Sequence, residues 1–102
     1  MYGSVFYLKP KHGKKEALID ALANNSSSTE GMVAWLVMNP DSNGDLIAIA
    51  IFKDKDSYKL NAEKPDTHEN FIKLMDFLEK EPVWNDGIFI ISEINYPFNL
   101  NK

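Results

Sequence analysis

Two stretches of this sequence are apolar at nearly every position: MVAWLVMN at residues 32–39 and LIAIAIFK at residues 46–53. β-Branched and aromatic residues are prominent in both, and the PDSNGD between them supplies Asn and Gly, which tolerate positive φ, so the pair reads as an antiparallel hairpin. A strand presents alternate side chains to opposite faces. In the second stretch Leu46, Ala48, Ala50 and Phe52 thus oppose Ile47, Ile49 and Ile51. In the first, Met32, Ala34, Leu36 and Met38 oppose Val33, Trp35 and Val37. An antiparallel sheet with one wet face alternates apolar and polar residues. This one needs cover on both faces.

The flanking segments supply cover for one. YGSVFYLK, residues 2–9, reads as a first strand that stops at Pro10, which has no N–H for the ladder. From Gly13, GKKEALIDALANN places Ala17, Leu18, Ala21 and Leu22 at helical spacing, and the polar run NNSSSTEG ends it. KDKDSYKLNAEKP, residues 53–65, reads as a short polar helix or turn. From Asp66 to Lys80, Phe71, Leu74, Met75 and Leu78 form an amphipathic stripe closed by Pro82. GIFIISEI, residues 87–94, reads as a fourth strand, followed by the polar tail NYPFNLNK, which can fray or reach across a partner. The order β-α-β-β-α-β is the α+β, ferredoxin-like arrangement, an antiparallel sheet with helices on one face. The other face would expose more apolar surface than a monomer tolerates, and a second copy of the chain is the economical cover. The expected assembly is a homodimer through that sheet face.

Composition narrows the chemistry. A chain of 102 residues with a net charge of −4 and no arginine has neither the basic stripe that nucleic acid requires nor the guanidinium fork that clamps phosphates. No nucleic-acid partner is expected. Without cysteine there is no disulfide framework, thiolate nucleophile or cysteine-based zinc site. The acidic residues are scattered and the histidines His12 and His68 lie far apart, so no metal is indicated. The opening MYGSVFYLKPKHG has too short an apolar run for a signal peptide, and no stretch approaches the roughly 20 apolar residues of a membrane span. The expectation is a cytoplasmic protein with no membrane partner.

The element order, the KPKHGK turn into the first helix, and the block AIFKDKDSYKLNAEKPDTHENFIKLMDFL resemble the antibiotic biosynthesis monooxygenase-like family of dimeric α+β barrels. The resemblance covers nearly the whole chain and implies a single domain over residues 1–102. Its motifs are loose: a Gly opening the first helix, an acidic-basic turn after the third strand, an aromatic, a polar residue and a Pro before the amphipathic helix. It implies a pocket beside the sheet for a small apolar or aromatic ligand. Its members include monooxygenases that oxidise aromatic or quinol-like substrates with no cofactor. Others are haem-degrading enzymes or have no assigned reaction, so a non-catalytic ligand-binding or oligomerisation module is the alternative. Where many members have Trp at the end of the third strand, this chain has Phe52; where a His is common, it has Asn61. A second His commonly follows the Pro, where Asp66 stands here with His68 two places on. The haem-degrading branch has an Asn in its first strand, which is absent here, and a Trp and a His where this chain has Asn61 and Phe71.

Asp66-Thr67-His68-Glu69 fits a capping box, with Asp66 at the N-cap, Glu69 reaching back, and His68 at the second helical position. On that reading His68 is an ordinary surface histidine. On the other, the helix dipole favours its neutral form and it is a catalytic base, with Asn61 donating to a developing oxyanion. Asn61 could equally close a turn. Tyr7, Trp35, Tyr58, Phe71 and Trp84 are candidates for binding a flat substrate, against the reading that they are packing. The small Ala48 and Ala50 leave room for a cavity. Lys9, Lys11, His12, Lys14 and Lys15 gather where anions are favoured, but no phosphate-cradling Gly-rich loop accompanies them, and a solvated loop is the simpler reading.

Overall fold

A computed structural model describes residues 1–24 and 29–95 of the chain. Strands β1 (Tyr2–Leu8), β2 (Met32–Met38), β3 (Leu46–Phe52) and β4 (Val83–Ile88) form one antiparallel sheet in the order β2-β3-β1-β4. Helix α1 (Lys15–Asn24) follows β1; α2 (Lys55–Ala62) and α3 (Pro65–Met75) lie between β3 and β4. The expected α+β ferredoxin-like order is present, with residues 53–65 contributing the extra helix α2. No helix among the described residues is long and apolar enough to cross a membrane. Most of the tail from Asn95 lies outside the described residues, as do 25–28 of the polar loop after α1.

The helices cover one face of the sheet. Leu18 and Leu22, one turn apart on α1, pack with Phe6, Leu8, Leu46 and Phe52 into a single buried cluster. Phe52 and Leu8, each fully buried, each contribute roughly 1.5–3 kcal/mol by leaving water. The opposite face stays uncovered: Leu36 is 54% exposed and Val83 57%, while Ile47, Ile49 and Ile51 remain partly accessible. The doubly apolar pattern is real, and the chain's own helices cover only half of it.

Local chemistry sets the joints. Asn43 takes the left-handed conformation in the hairpin turn, at φ 60°, as an Asn can at modest cost. Lys15 Nζ donates to Asn43 Oδ1 at 2.8 Å and to Gly44 O at 3.0 Å, tying α1 to that turn. Gly31 has φ +80°, and a Cβ there would come within 2.7 Å of Ser57, so its lack of a side chain lets the first turn of α2 close against β2. Asp54 caps α2, accepting from Ser57 N at 2.8 Å.

Three sequence expectations are corrected. A register shift between Met32 and Ala34 places Met32 on the helix-covered face with Trp35, so the alternation of β2 is broken after its first residue. The fourth strand is Val83–Ile88, not residues 87–94, because its partners on β1 run only from Tyr7↔Val83 to Tyr2↔Ile88. The apolar run beyond has no ladder, and Ile90 is 89% exposed. Finally, α3 begins at Pro65 with Lys64 as N-cap and no side-chain cap. Proline at the first helical position has a fixed φ suited to the helix and no N–H to leave unpaired. The helix therefore starts earlier than a capping box at Asp66 would allow. His68 sits in the first full turn, its N–H bonded to Lys64 O at 3.2 Å.

Candidate functional site

Between the covered face of the sheet and helices α2 and α3 lies a cavity of about 960 Å3. Its shape follows from β3. Trp35 on β2 and Phe6 on β1 flank that strand, opposite Ala50 and Ala48 respectively. Strands two apart in a sheet are separated by about 10 Å, yet the two ring centroids are 6.1 Å apart and the planes within 29° of parallel. The rings lean together over the alanines. Beyond Phe6, Trp84 on β4 sits 4.3 Å away, and Phe71 of α3 stands 5.9 Å from Trp84. Four aromatic side chains thus run in a continuous row along the cavity.

The polar groups come mainly from α2, α3 and β4. Tyr58 and Asn61, three residues apart, share the cavity-facing side of α2. The Tyr58 ring is held edge-on by Tyr2 at 5.3 Å and Phe52 at 5.5 Å, and its hydroxyl donates to Asp86 Oδ1 at 2.9 Å. Partial burial, followed by that bond and the carboxylate's charge, pushes the Tyr58 pKa up to about 12. Thr67 Oγ1 donates to Asn61 Oδ1 at 3.3 Å, leaving Asn61 Nδ2 a donor with no partner among the described residues. His68 lines the cavity from an exposed position at its rim.

Ser4 also faces the cavity. It is 1% exposed, and its hydroxyl makes no hydrogen bond among the described residues. It lies near enough to the Tyr58 hydroxyl to favour phenolate formation slightly, though no bond of acceptable geometry joins them.

Of the residues singled out from sequence, His68, Asn61, Trp35, Tyr58, Phe71 and Trp84 line this one cavity. Tyr7 does not: as an odd-numbered residue of β1 beside Phe6 and Leu8, it falls on the uncovered face. Ser4 and Asp86 were missed. Ser4 could have been found as the one small polar residue in a row otherwise made by Tyr2, Phe6 and Leu8. Asp86 was hidden because the fourth strand was expected to begin after it. Two of the lysines near α1 are engaged locally, Lys15 with the hairpin turn and Lys9 with Glu79 at 3.3 Å.

No family model and no curated protein matches the sequence. Solved structures do match. A Nitrosomonas europaea protein provisionally named an antibiotic biosynthesis monooxygenase superposes with a TM-score of 0.76 at 15% identity, over 89% of this chain and 100% of that one. A conserved Methanosarcina mazei Go1 protein gives 0.73 at 21% identity, over 84% and 89%. A provisionally named antibiotic biosynthesis monooxygenase from Chloroflexus aurantiacus J-10-fl gives 0.67 at 19%, over 89% and 96%. The chain has the antibiotic biosynthesis monooxygenase-like fold.

The Tyr58 environment has a spectroscopic consequence. Its phenol is held neutral in the folded state, so the associated stability is intact below pH 10, the ordinary tyrosine value, and is lost as pH rises toward about 12. In a phenolate absorbance titration of the folded protein, one of the four tyrosines should ionise near pH 12. Tyr58→Phe should delete that step. A titration with no such late step, or one that survives the substitution, contradicts the assignment.

Proposed function

We propose that the cavity binds a small, flat aromatic or quinol-like molecule and that the chain oxidises it with O2 without a metal or flavin. The observation that carries the reading is the aromatic row Trp35, Phe6, Trp84 and Phe71, which ends among hydrogen-bonding groups. Such a surface favours stacking over a planar ligand. In the reaction, His68 takes the acidic proton of the bound substrate and Asn61 Nδ2 donates to the oxyanion that develops. The electron-rich anion then reduces O2: one oxygen atom enters at a ring carbon that carries hydrogen, and the other leaves as water with that hydrogen and the proton taken by the base. The similar structures named as monooxygenases support this class of chemistry. A specific observation favours the alternative, a binding module that does not turn over. Among the described residues no hydrogen bond orients the His68 ring, and a general base is ordinarily held in place.

Oxygen consumption separates the two. With an electron-rich quinol or anthrone and no added metal or flavin, the wild type should consume O2 at a measurable rate. His68→Ala should lower that rate by about 10²–10⁴-fold, with little change in melting temperature because the side chain is exposed. No consumption across a panel of such substrates would favour the binding module. Turnover that survives the substitution would remove His68 from the mechanism.

We further propose that a second copy of the chain covers the outer face of the sheet, where Leu36, Met38, Tyr7 and Val83 are exposed beside the three isoleucines of β3. Equilibrium sedimentation should find a dimer. Ile49→Asp should dissociate it and leave the helix-covered core folded. Ala48→Asp, placed on the fully buried face, should instead unfold the protein, since an unpaired buried charge costs at least several kcal/mol. A wild type that is a stable, folded monomer would overturn the proposal.

A further inference from the structure

The polar corner formed by Ser4, Tyr58 and Asp86 has unspent hydrogen-bonding capacity of one kind. Ser4 and Asp86 are directly paired across β1 and β4, and Tyr58 reaches over from α2. Because the Tyr58 hydroxyl gives its proton to Asp86 Oδ1, its oxygen keeps its capacity to accept. Asp86 contributes a second acceptor oxygen with no bond among the described residues. Ser4 Oγ can accept or donate and does neither. A buried hydroxyl without a partner is disfavoured by about 1–3 kcal/mol, and here it belongs to a residue that lines a cavity.

We infer that Ser4, Tyr58 and Asp86 form a subsite that recognises a neutral hydrogen-bond donor on the ligand, a phenolic hydroxyl above all, and rejects a carboxylate at the same place. Two acceptors and one adaptable hydroxyl suit a group that donates, whereas an anion would face the charge of Asp86. The distances agree with an aromatic phenol. Ser4 and Phe6 are two residues apart on the same face of β1, about 7 Å along the strand, which is the reach of one aromatic ring and its substituent. A ring stacked against Phe6 and Trp84 would carry its hydroxyl to Ser4. Ser4, Tyr58 and Asp86 are therefore specificity-determining residues. The inference deepens the reading of the cavity as an aromatic-binding site and rests on it, but it does not depend on turnover.

Three probes of nearly equal size test it: 2-naphthol, which donates; 2-methoxynaphthalene, which only accepts; and 2-naphthoate, which is an anion. Affinities are read by quenching of Trp35 and Trp84 fluorescence and checked by calorimetry. The wild type should prefer 2-naphthol over 2-methoxynaphthalene by about tenfold, the effect of one well-made hydrogen bond to a polar or charged group, and should bind 2-naphthoate least. Ser4→Ala should bring the first ratio toward one. Asp86→Asn should raise the affinity for 2-naphthoate. The unliganded Ser4→Ala protein should melt no lower than the wild type, because the deleted hydroxyl has no partner to lose.

If all three probes bind but the ratios are the same in the variants and the wild type, the subsite falls while the aromatic cavity stands. If none binds, the cavity reading fails and takes the subsite with it. A lowered melting temperature in Ser4→Ala would show that the hydroxyl serves the fold, and would also overturn the assignment.

Discussion

Ala48 and Ala50 sit on the helix-covered face of β3, fully and nearly fully buried, and Ala50 lines the cavity, where its small side chain leaves space above the strand. Between them and the helices, Trp35 and Phe6 lean inward from the two neighbouring strands until their rings nearly stack. A larger residue at 50 would fill that gap in the ordinary way of a core, since protein interiors tolerate little empty volume. With alanine, the aromatic side chains become the walls of a cavity instead of its filling. The same strand presents Ile47, Ile49 and Ile51 to the outer face. One seven-residue element thus separates a hollow, aromatic-lined side from a continuous apolar side.

The cavity is chemically divided. Its aromatic row offers stacking surface without directional demand, so it sets the shape of an acceptable ligand. The polar groups set its orientation. They fall into two sets: Asn61 with Thr67, beside His68 on the helices, and Tyr58 with Asp86, beside Ser4 on the sheet. The first holds an unpaired amide donor and the second a surplus of acceptors. A planar molecule that carries both an accepting and a donating oxygen, as hydroxylated aromatics and quinols do, would match the two sets at once.

Much of the fold was legible because its signals are local. The hairpin turn, the helical spacing of Leu18 and Leu22, and the α3 stripe of Phe71, Leu74 and Met75 each rest on a few neighbouring residues and appear as expected, whereas the helix stops at Met75 rather than near Lys80 and Leu78 bridges to Pro10. The misreadings arose where a distant partner decides. The bulge after Met32 depends on the register of β2 against β3, and the end of β4 depends on where β1 stops offering partners, so neither is written in the strand's own residues. Pro65 overrode a plausible capping box because a proline at the first helical position is more compatible with the helix than Asp66 is decisive as a cap. Six of the cavity-lining residues were legible because aromatic, amide and imidazole side chains announce their chemistry. Tyr7, expected among the ligand-binding residues, lies away from the cavity, and Ser4 and Asp86 went unnoticed, because what each faces follows only from the side of β1 or β4 that it occupies.

The central claim is that this molecule's ligand site is the alanine-floored cavity under the helices and not the apolar outer face of the sheet. Two-dimensional amide NMR on isotope-labelled protein titrated with 2-naphthol tests it directly. The indole N–H signals of Trp35 and Trp84 and the amides of Ala50, Asn61 and Phe71 should shift in a saturable way. Those of Leu36, Met38 and Val83 should stay in place. Saturable shifts confined to Leu36, Met38, Tyr7 and Val83, with the two indoles unmoved, would contradict it.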